Sequence, residues 1–140
     1  MQRAIDYLKL NASEKEIPVA AIVVKDNKII ASACNRKEAE KDVTFHAEIL
    51  AIREASKKLG RWRLDDCELY VTLEPCPMCA WAILQSRIKS VYFGSYDTKY
   101  GALGSVIDLR EFSDSKPKVW GGIMEKECDE ILRKFFEGLR

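Results

Sequence analysis

The stretch CELYVTLEPCPMCAWAILQSRIKSVYFGS (67–95) decides the fold class of this chain. Its two ends, 67–74 and 89–95, are rich in β-branched and aromatic residues, which predicts two strands. The apolar segment PMCAWAILQS (77–86) between them is predicted to form a short helix. A strand, a helix and a strand joined by such short connections predict a right-handed parallel crossover.

The patterns on either side extend this unit. IPVAAIVVKDNKIIASAC (17–34) predicts a β-hairpin, because Asp26 and Asn27 both tolerate the left-handed backbone of a tight turn. HAEILAIREASKKLG (46–60) has apolar residues at helical spacing and ends on Gly60, which predicts a helix. A weak helix at 1–12, a strand near 118–120 and a helix at about 124–139 complete the chain. We expect an α/β fold, a three-layer α/β/α sandwich with a mixed sheet of about five strands.

Composition limits the class of protein. A chain of 140 residues is predicted to form one domain, residues 1–140. No apolar run approaches the roughly 18 to 20 residues that cross a bilayer, and the N-terminus lacks the apolar stretch of a signal peptide. Five cysteines, an odd number, are more easily explained as free thiols in a reducing compartment. We therefore predict a cytoplasmic protein without a membrane partner.

The net charge of +1 points to neither an acidic nor a basic partner. One basic segment stands out, REASKKLGRWR (53–63), with five basic residues and a single acid. Two interpretations stay open: a surface that contacts phosphates, or a solvated helix end whose cations favour the C-terminal dipole.

The two cysteines Cys76 and Cys79 admit several interpretations. A redox pair also lies at a helix start, whereas a structural zinc site needs four protein ligands, commonly from a second pair of similar spacing. No second pair exists in the sequence. The remaining cysteines, Cys34, Cys67 and Cys128, lie in apolar stretches and are predicted to be buried free thiols.

The only histidine, His46, starts the helix at 46–60. Together with Cys76 and Cys79 it makes three ligands, the number typical of a catalytic zinc that leaves its fourth position to water. Glu48 is better interpreted as a general acid and base than as a metal ligand. It follows His46 by two residues, and side chains two positions apart on a helix point in different directions. Either motif alone is weak evidence, because a histidine at a helix start is commonly a cap. Their combination predicts a hydrolytic metal site.

The two motifs carry a resemblance. HAE (46–48) and PCPMC (75–79) match the H-x-E…P-C-x-x-C signature of the cytidine deaminase superfamily. Over nearly the whole chain the sequence resembles the bacterial tRNA-specific adenosine deaminases, most distinctly in FGSYDTKYGALGS (93–105). That family converts adenosine to inosine at the anticodon wobble position. The resemblance thus implies a cytidine deaminase-like fold and a zinc-dependent hydrolase acting in tRNA editing.

The resemblance also implies individual roles. His46, Cys76 and Cys79 would bind one Zn²⁺ per chain, and Glu48 would transfer protons. Asn35 would contact the flipped adenosine and Asp97 its ribose. The aromatic and basic C-terminus, KFFEGLR (134–140) with Phe136, resembles the family's helix that lies against the anticodon stem-loop. The family is homodimeric, which implies a homodimer here.

Three positions depart from the family pattern, with Trp81, Phe45 and Tyr100 in place of glycine, alanine and threonine. Each adds bulk near the expected pocket or dimer surface. Two other functions therefore stay open. One is deamination of a free base or nucleotide such as guanine, cytosine or deoxycytidylate. The other is a non-catalytic, zinc-stabilised RNA-binding module, against which Glu48 argues.

Overall fold

The computed structural model describes residues 1–139. Its centre is a five-stranded sheet in the order β2-β1-β3-β4-β5. The strands are β1 (Ala20–Lys25), β2 (Lys28–Cys34), β3 (Glu68–Leu73), β4 (Ser90–Ser95) and β5 (Lys118–Trp120). Strand β1 pairs antiparallel with β2 and β3, whereas β3, β4 and β5 run parallel. The predicted mixed sheet and parallel crossover are thus confirmed.

The described residues contain five α-helices: α1 (Gln2–Asn11), α2 (Lys37–Glu40), α3 (Ala47–Leu59), α4 (Pro77–Gln85) and α5 (Glu125–Gly138). Alternate residues of β1 face opposite layers, as the two-residue period of a strand requires. Ala21 packs in the larger apolar cluster with residues of α3 and α4. Ala20 packs with Leu8 of α1 and Ile131 of α5. Helices therefore lie on both faces, which confirms the α/β/α sandwich.

Local backbone geometry agrees with the turn residues of the sequence. Asp26 and Asn27 have φ of 50° and 62° and connect β1 to β2. Gly60 follows α3 with φ of 68°, the left-handed conformation that glycine adopts at little cost. Among residues 1–139, no helix combines the length and apolar composition that crossing a bilayer requires.

The parallel pairing of β3 and β4 determines where the chain can place chemistry. Leu73 and Ser95 are paired at the carboxyl ends of the two strands, and the Glu74 amide donates to the Ser95 carbonyl at 2.8 Å. The segments that follow these strands, Glu74 to Cys76 and Tyr96 onward, therefore leave the sheet side by side. In open α/β sheets such an edge is the common position of a ligand site.

Candidate metal centre and active site

Two helix starts meet at this edge of the sheet. His46 is the N-cap of α3 and Cys76 is the N-cap of α4, each with extended backbone. Pro77 takes the first helical position of α4, where its missing N–H costs no hydrogen bond. Cys79 lies in the same first turn, three residues after Cys76, so both thiols face one side of the helix. The predicted placement of both cysteines at a helix start is confirmed.

The three side chains form a compact group. Their ligand atoms, one from each of His46, Cys76 and Cys79, all lie within 4.8 Å of one another. The His46 Nδ1 atom is 3.7 Å from Cys76 Sγ and 3.4 Å from Cys79 Sγ. A tetrahedral zinc with Zn–S of about 2.3 Å and Zn–N of about 2.0 to 2.1 Å would separate sulfur and nitrogen by about 3.6 Å. These side chains can therefore hold a metal ion of that size with little movement.

The electrostatics of the two thiols suit a cation. Hydrogen bonding from Cys79, and further hydrogen bonding with His46, lowers the pKa of the Cys76 thiol to about 4. The same contact between the cysteines, together with burial, raises the pKa of Cys79. Cys76 is thus a thiolate at neutral pH. Because a metal ligand must be deprotonated, a cation that also binds Cys79 would displace its proton.

Glu48 lies in the first turn of α3 and is only 4% exposed. Burial raises the pKa of the Glu48 carboxyl to about 7. The side chain lines the same cavity as His46 and Cys76. A carboxyl with a pKa near neutrality can both accept and release a proton, which is the property that general acid and base catalysis needs.

A cavity of about 280 Å³ opens beside these side chains. His46, Glu48 and Cys76 line it, as do the predicted substrate contacts Asn35 and Asp97. The structure thus gathers most of the predicted site residues around one concave surface, which is the usual form of a small-molecule site.

Asn35 has a structural contact that the sequence did not indicate. The Ala47 amide donates to Asn35 Oδ1 at 2.8 Å, and Asn35 Nδ2 donates to the Ile17 carbonyl at 2.9 Å. The side chain therefore holds the start of α3, one residue after His46. One amide hydrogen and one oxygen lone pair are left after these two bonds.

Asp97 also organises its own loop. Its Oδ1 atom accepts from the Lys99 amide at 3.0 Å and from the Tyr100 amide at 2.9 Å. This pattern is the Asx turn that aspartate commonly forms. Asp97 lines the cavity, and its second carboxylate oxygen accepts neither of these two bonds.

The other predicted residues lie in different places. Phe136 is 47% exposed on α5, packs edge-on against Phe135 and does not line the cavity. Of the three positions that depart from the family pattern, Tyr100 lines the cavity. Trp81 is 39% exposed on α4. The Arg53 guanidinium lies over the Phe45 ring, 5.5 Å from the ring centroid. Only Tyr100 therefore adds bulk at the cavity itself.

The remaining cysteines behave as predicted. Cys34, Cys67 and Cys128 are buried free thiols. Burial raises the pKa of each to about 11, so they are neutral at physiological pH. Within the described residues they do not belong to the metal-binding group.

The basic segment 53–63 is largely paired with acids. Lys58 contacts Glu54 at 2.9 Å within α3, and Arg61 contacts Asp66 at 2.7 Å. Arg63 lies 3.3 Å from Asp65. These ion pairs favour the interpretation as a solvated helix end over a phosphate-binding surface.

Two buried carboxylates at the cavity had no predicted role. Glu16 accepts from the Glu38 and Ala39 amides at 3.0 and 2.9 Å and so holds α2. Glu74, 1% exposed, accepts from amides of the loop that begins at Asp97. A sequence signal exists for Glu74, which stands between an apolar strand and Pro75, whereas Glu16 follows the charged residues Glu14 and Lys15 and gives no such signal.

The fold and a group able to hold a metal beside a buried carboxylate define the class of this protein: it is a deaminase with the cytidine deaminase-like fold. The chain belongs to the MafB19-like deaminase family, whose model matches residues 1–140.

Three similar proteins have more specific names. The chain is 44% identical to the tRNA-specific adenosine deaminase of Bacillus subtilis (strain 168), covering 100% of this chain and 88% of that protein. A solved structure from studies of A-to-I editing by tRNA:A34 deaminases at the wobble position of transfer RNA is 41% identical, with a TM-score of 0.86 over 94% of this chain and 96% of that chain. The guanine deaminase of Bacillus subtilis is 35% identical, with a TM-score of 0.63 over 76% and 78%.

Proposed function

We propose that this protein catalyses the zinc-dependent hydrolytic deamination of adenosine to inosine at the wobble position of a tRNA anticodon. One observation carries the chemistry: Glu48 is buried, has a pKa of about 7 and lines the same cavity as His46 and Cys76, two of the three residues that can hold a metal ion. The names of relatives at 44% and 41% identity support the substrate.

In this proposal His46, Cys76 and Cys79 hold one Zn²⁺ per chain. The 3.4 and 3.7 Å separations of nitrogen and sulfur match what a tetrahedral zinc requires. When bound, zinc supplies Lewis-acid activation of water at neutral pH. Three protein ligands suit this role, because a structural zinc takes four.

Glu48 performs the proton transfers. Its carboxylate accepts a proton from the attacking water, whose oxygen forms a bond to C6 of adenine as the C6–N1 double bond opens, and the carboxyl passes that proton to N1. Glu48 then takes the remaining proton of the new C6 hydroxyl and delivers it to the amine, so that the bond from C6 to the amine breaks, ammonia leaves and the C6 carbonyl of inosine forms. The carboxyl ends in the state in which it began, which a pKa of about 7 allows without an added acid or base.

Two side chains at the cavity wall keep unused hydrogen-bonding groups that can contact the substrate. Asn35 retains one amide hydrogen for the base after its bonds to Ala47 and Ile17. Asp97 retains one carboxylate oxygen that can accept from a ribose 2′-hydroxyl. A base must leave its stack to reach this cavity, which costs less from a hairpin loop than from a duplex.

The proposal includes further partners that follow from the family resemblance. A homodimer would bind the anticodon stem-loop, with Phe136 available on the exposed side of α5 for RNA contact. A reducing cytoplasm fits five free cysteines in the described part of the chain. Residues 1–140 would act as one zinc-dependent deaminase domain.

Deamination of a free base is the second candidate function. The 35% identity to a guanine deaminase favours it, and the metal-binding group and Glu48 would serve that reaction equally well. A non-catalytic zinc-stabilised module is a weaker candidate, since a structural site has no use for a buried carboxyl beside its ligands.

A comparison of substrates tests the proposal. We expect inosine to form in an RNA anticodon hairpin, with weak or no reaction of the same hairpin in DNA and none of free adenine. An unmatched polar partner costs about 1 to 3 kcal/mol, or roughly 5- to 150-fold in rate constant. Asp97→Ala should narrow the difference between RNA and DNA while the zinc content stays the same. Rapid deamination of free guanine or cytosine, with the RNA hairpin unchanged, would instead support the second candidate.

A further inference from the structure

Within residues 1–139, the carboxylate of Glu74 accepts hydrogen bonds from one loop only. It lies directly after β3 and two residues before Cys76, and it also lines the cavity. Oε1 accepts from the Asp97 amide at 3.1 Å, and Oε2 accepts from the Leu103 and Ser105 amides at 3.2 and 3.1 Å. The Ser105 hydroxyl donates to Oε1 as well. All four donors come from the segment 97–105, which we call the rim loop.

The Glu74 carboxylate and the rim loop stabilise each other. Burying a carboxylate is costly unless it is hydrogen-bonded, and within residues 1–139 no lysine or arginine forms an ion pair with Glu74. The rim loop alone therefore compensates its desolvation. In return, hydrogen bonds to a charged acceptor are the strong kind, and they tie the loop to the turn that carries Cys76.

Gly101 gives independent evidence that the loop is shaped around this carboxylate. A Cβ atom at Gly101 would lie 2.6 Å from Glu74 Oε1 and against the Asp97 carbonyl. Real Cβ atoms do not approach that closely, so a residue without a side chain is needed for the loop to approach Glu74.

The rim loop is one wall of the cavity. Asp97 and Tyr100 line the cavity from this loop, and Asn35 and Glu48 line it from other parts of the chain. The position of these two side chains relative to His46 therefore depends on Glu74, which connects the loop to the end of β3.

We propose that Glu74 is a positioning residue that determines affinity for the nucleic-acid substrate, by holding the rim loop against the cavity, and that it takes no part in proton transfer. This inference rests on the proposed function, because the bound partner is the RNA hairpin. The loop then acts on substrate binding, while Glu48 and the metal ligands act on the reacting atoms.

The split between KM and kcat tests this role. Glu74→Gln keeps the size of the side chain but turns an NH₂ group toward amide donors, so at least one bond is lost and one oxygen no longer accepts. We expect KM for the RNA hairpin to rise by about tenfold, while kcat changes by less than about threefold and zinc content stays at one per chain. Amide hydrogen exchange in residues 97–105 should become faster. The control Glu111→Gln removes an exposed carboxylate, and its KM and kcat should equal those of the wild-type protein.

A second, milder variant keeps the role of Glu74 testable if Glu74→Gln does not fold. Ser105→Ala removes one hydroxyl donor from an exposed residue and leaves both Glu74 oxygens in place. Ser105→Ala should also raise KM for the RNA hairpin, by a smaller factor than Glu74→Gln. An unchanged KM in both variants would overturn the role of Glu74, and so would a fall in kcat at unchanged KM. A wild-type protein inactive on the hairpin would overturn the proposed function instead, so the two failures are distinguishable.

Discussion

Glu48→Gln is expected to abolish nearly all turnover while zinc content and fold are retained. The amide has the size of the carboxyl but cannot accept and release a proton at neutral pH. General acid and base catalysis is worth about 10²- to 10⁴-fold, and Glu48 serves both proton transfers in the proposed mechanism. The loss in kcat should therefore reach or exceed that range. Single-turnover rates with an RNA hairpin, with zinc measured on the same samples, provide the test.

A matched control is available on the same helix. Glu54→Gln also removes a carboxylate from α3, but its partner is Lys58 at 2.9 Å on the surface. An exposed ion pair contributes at most about 1 kcal/mol, so this variant should retain wild-type turnover. Glu48→Gln activity within a few fold of wild type would remove Glu48 from the mechanism.

Cys76→Ala is expected to lose most of the bound zinc and, with it, the activity. Cys76 is the thiol whose pKa is lowered to about 4, so it is the ligand that is ready to bind a cation at neutral pH. Two ligands, His46 and Cys79, would remain, fewer than the three that a catalytic zinc takes. Metal analysis of the purified protein measures the effect directly.

The control for this variant is Cys67→Ala. Cys67 is fully buried, and burial raises the pKa of its thiol to about 11. Its removal should cost some stability through lost packing and leave the zinc content unchanged. Full zinc occupancy in Cys76→Ala, or loss of zinc in Cys67→Ala, would show that the ligand assignment is wrong.

Short-range patterns predicted most of the fold. The Asp26-Asn27 turn and the helix end at Gly60 depend on a few neighbouring residues, and the structure has both where the sequence placed them. The same holds for the first turn of α4, where Pro77 follows Cys76. The grouping of His46 with the two cysteines was predictable from ligand chemistry, although the three residues come from distant segments.

Long-range hydrogen bonds could not be predicted in the same way. Glu74 binds amides 23 to 31 residues further along the chain, and backbone amides carry no sequence signal. The attachment of Asn35 to the start of α3 is hidden for the same reason. The basic segment 53–63 looked unpaired because its partners Asp65 and Asp66 lie just beyond its end.

The position of inosine in a whole tRNA shows whether this protein deaminates the wobble adenosine. The zinc-loaded protein is incubated with a full-length tRNA that has adenosine at the wobble position, and each adenosine is then examined for conversion by sequencing. We expect inosine at the wobble position and at no other adenosine. A tRNA that stays unmodified, under conditions in which the same protein deaminates free guanine, would contradict it.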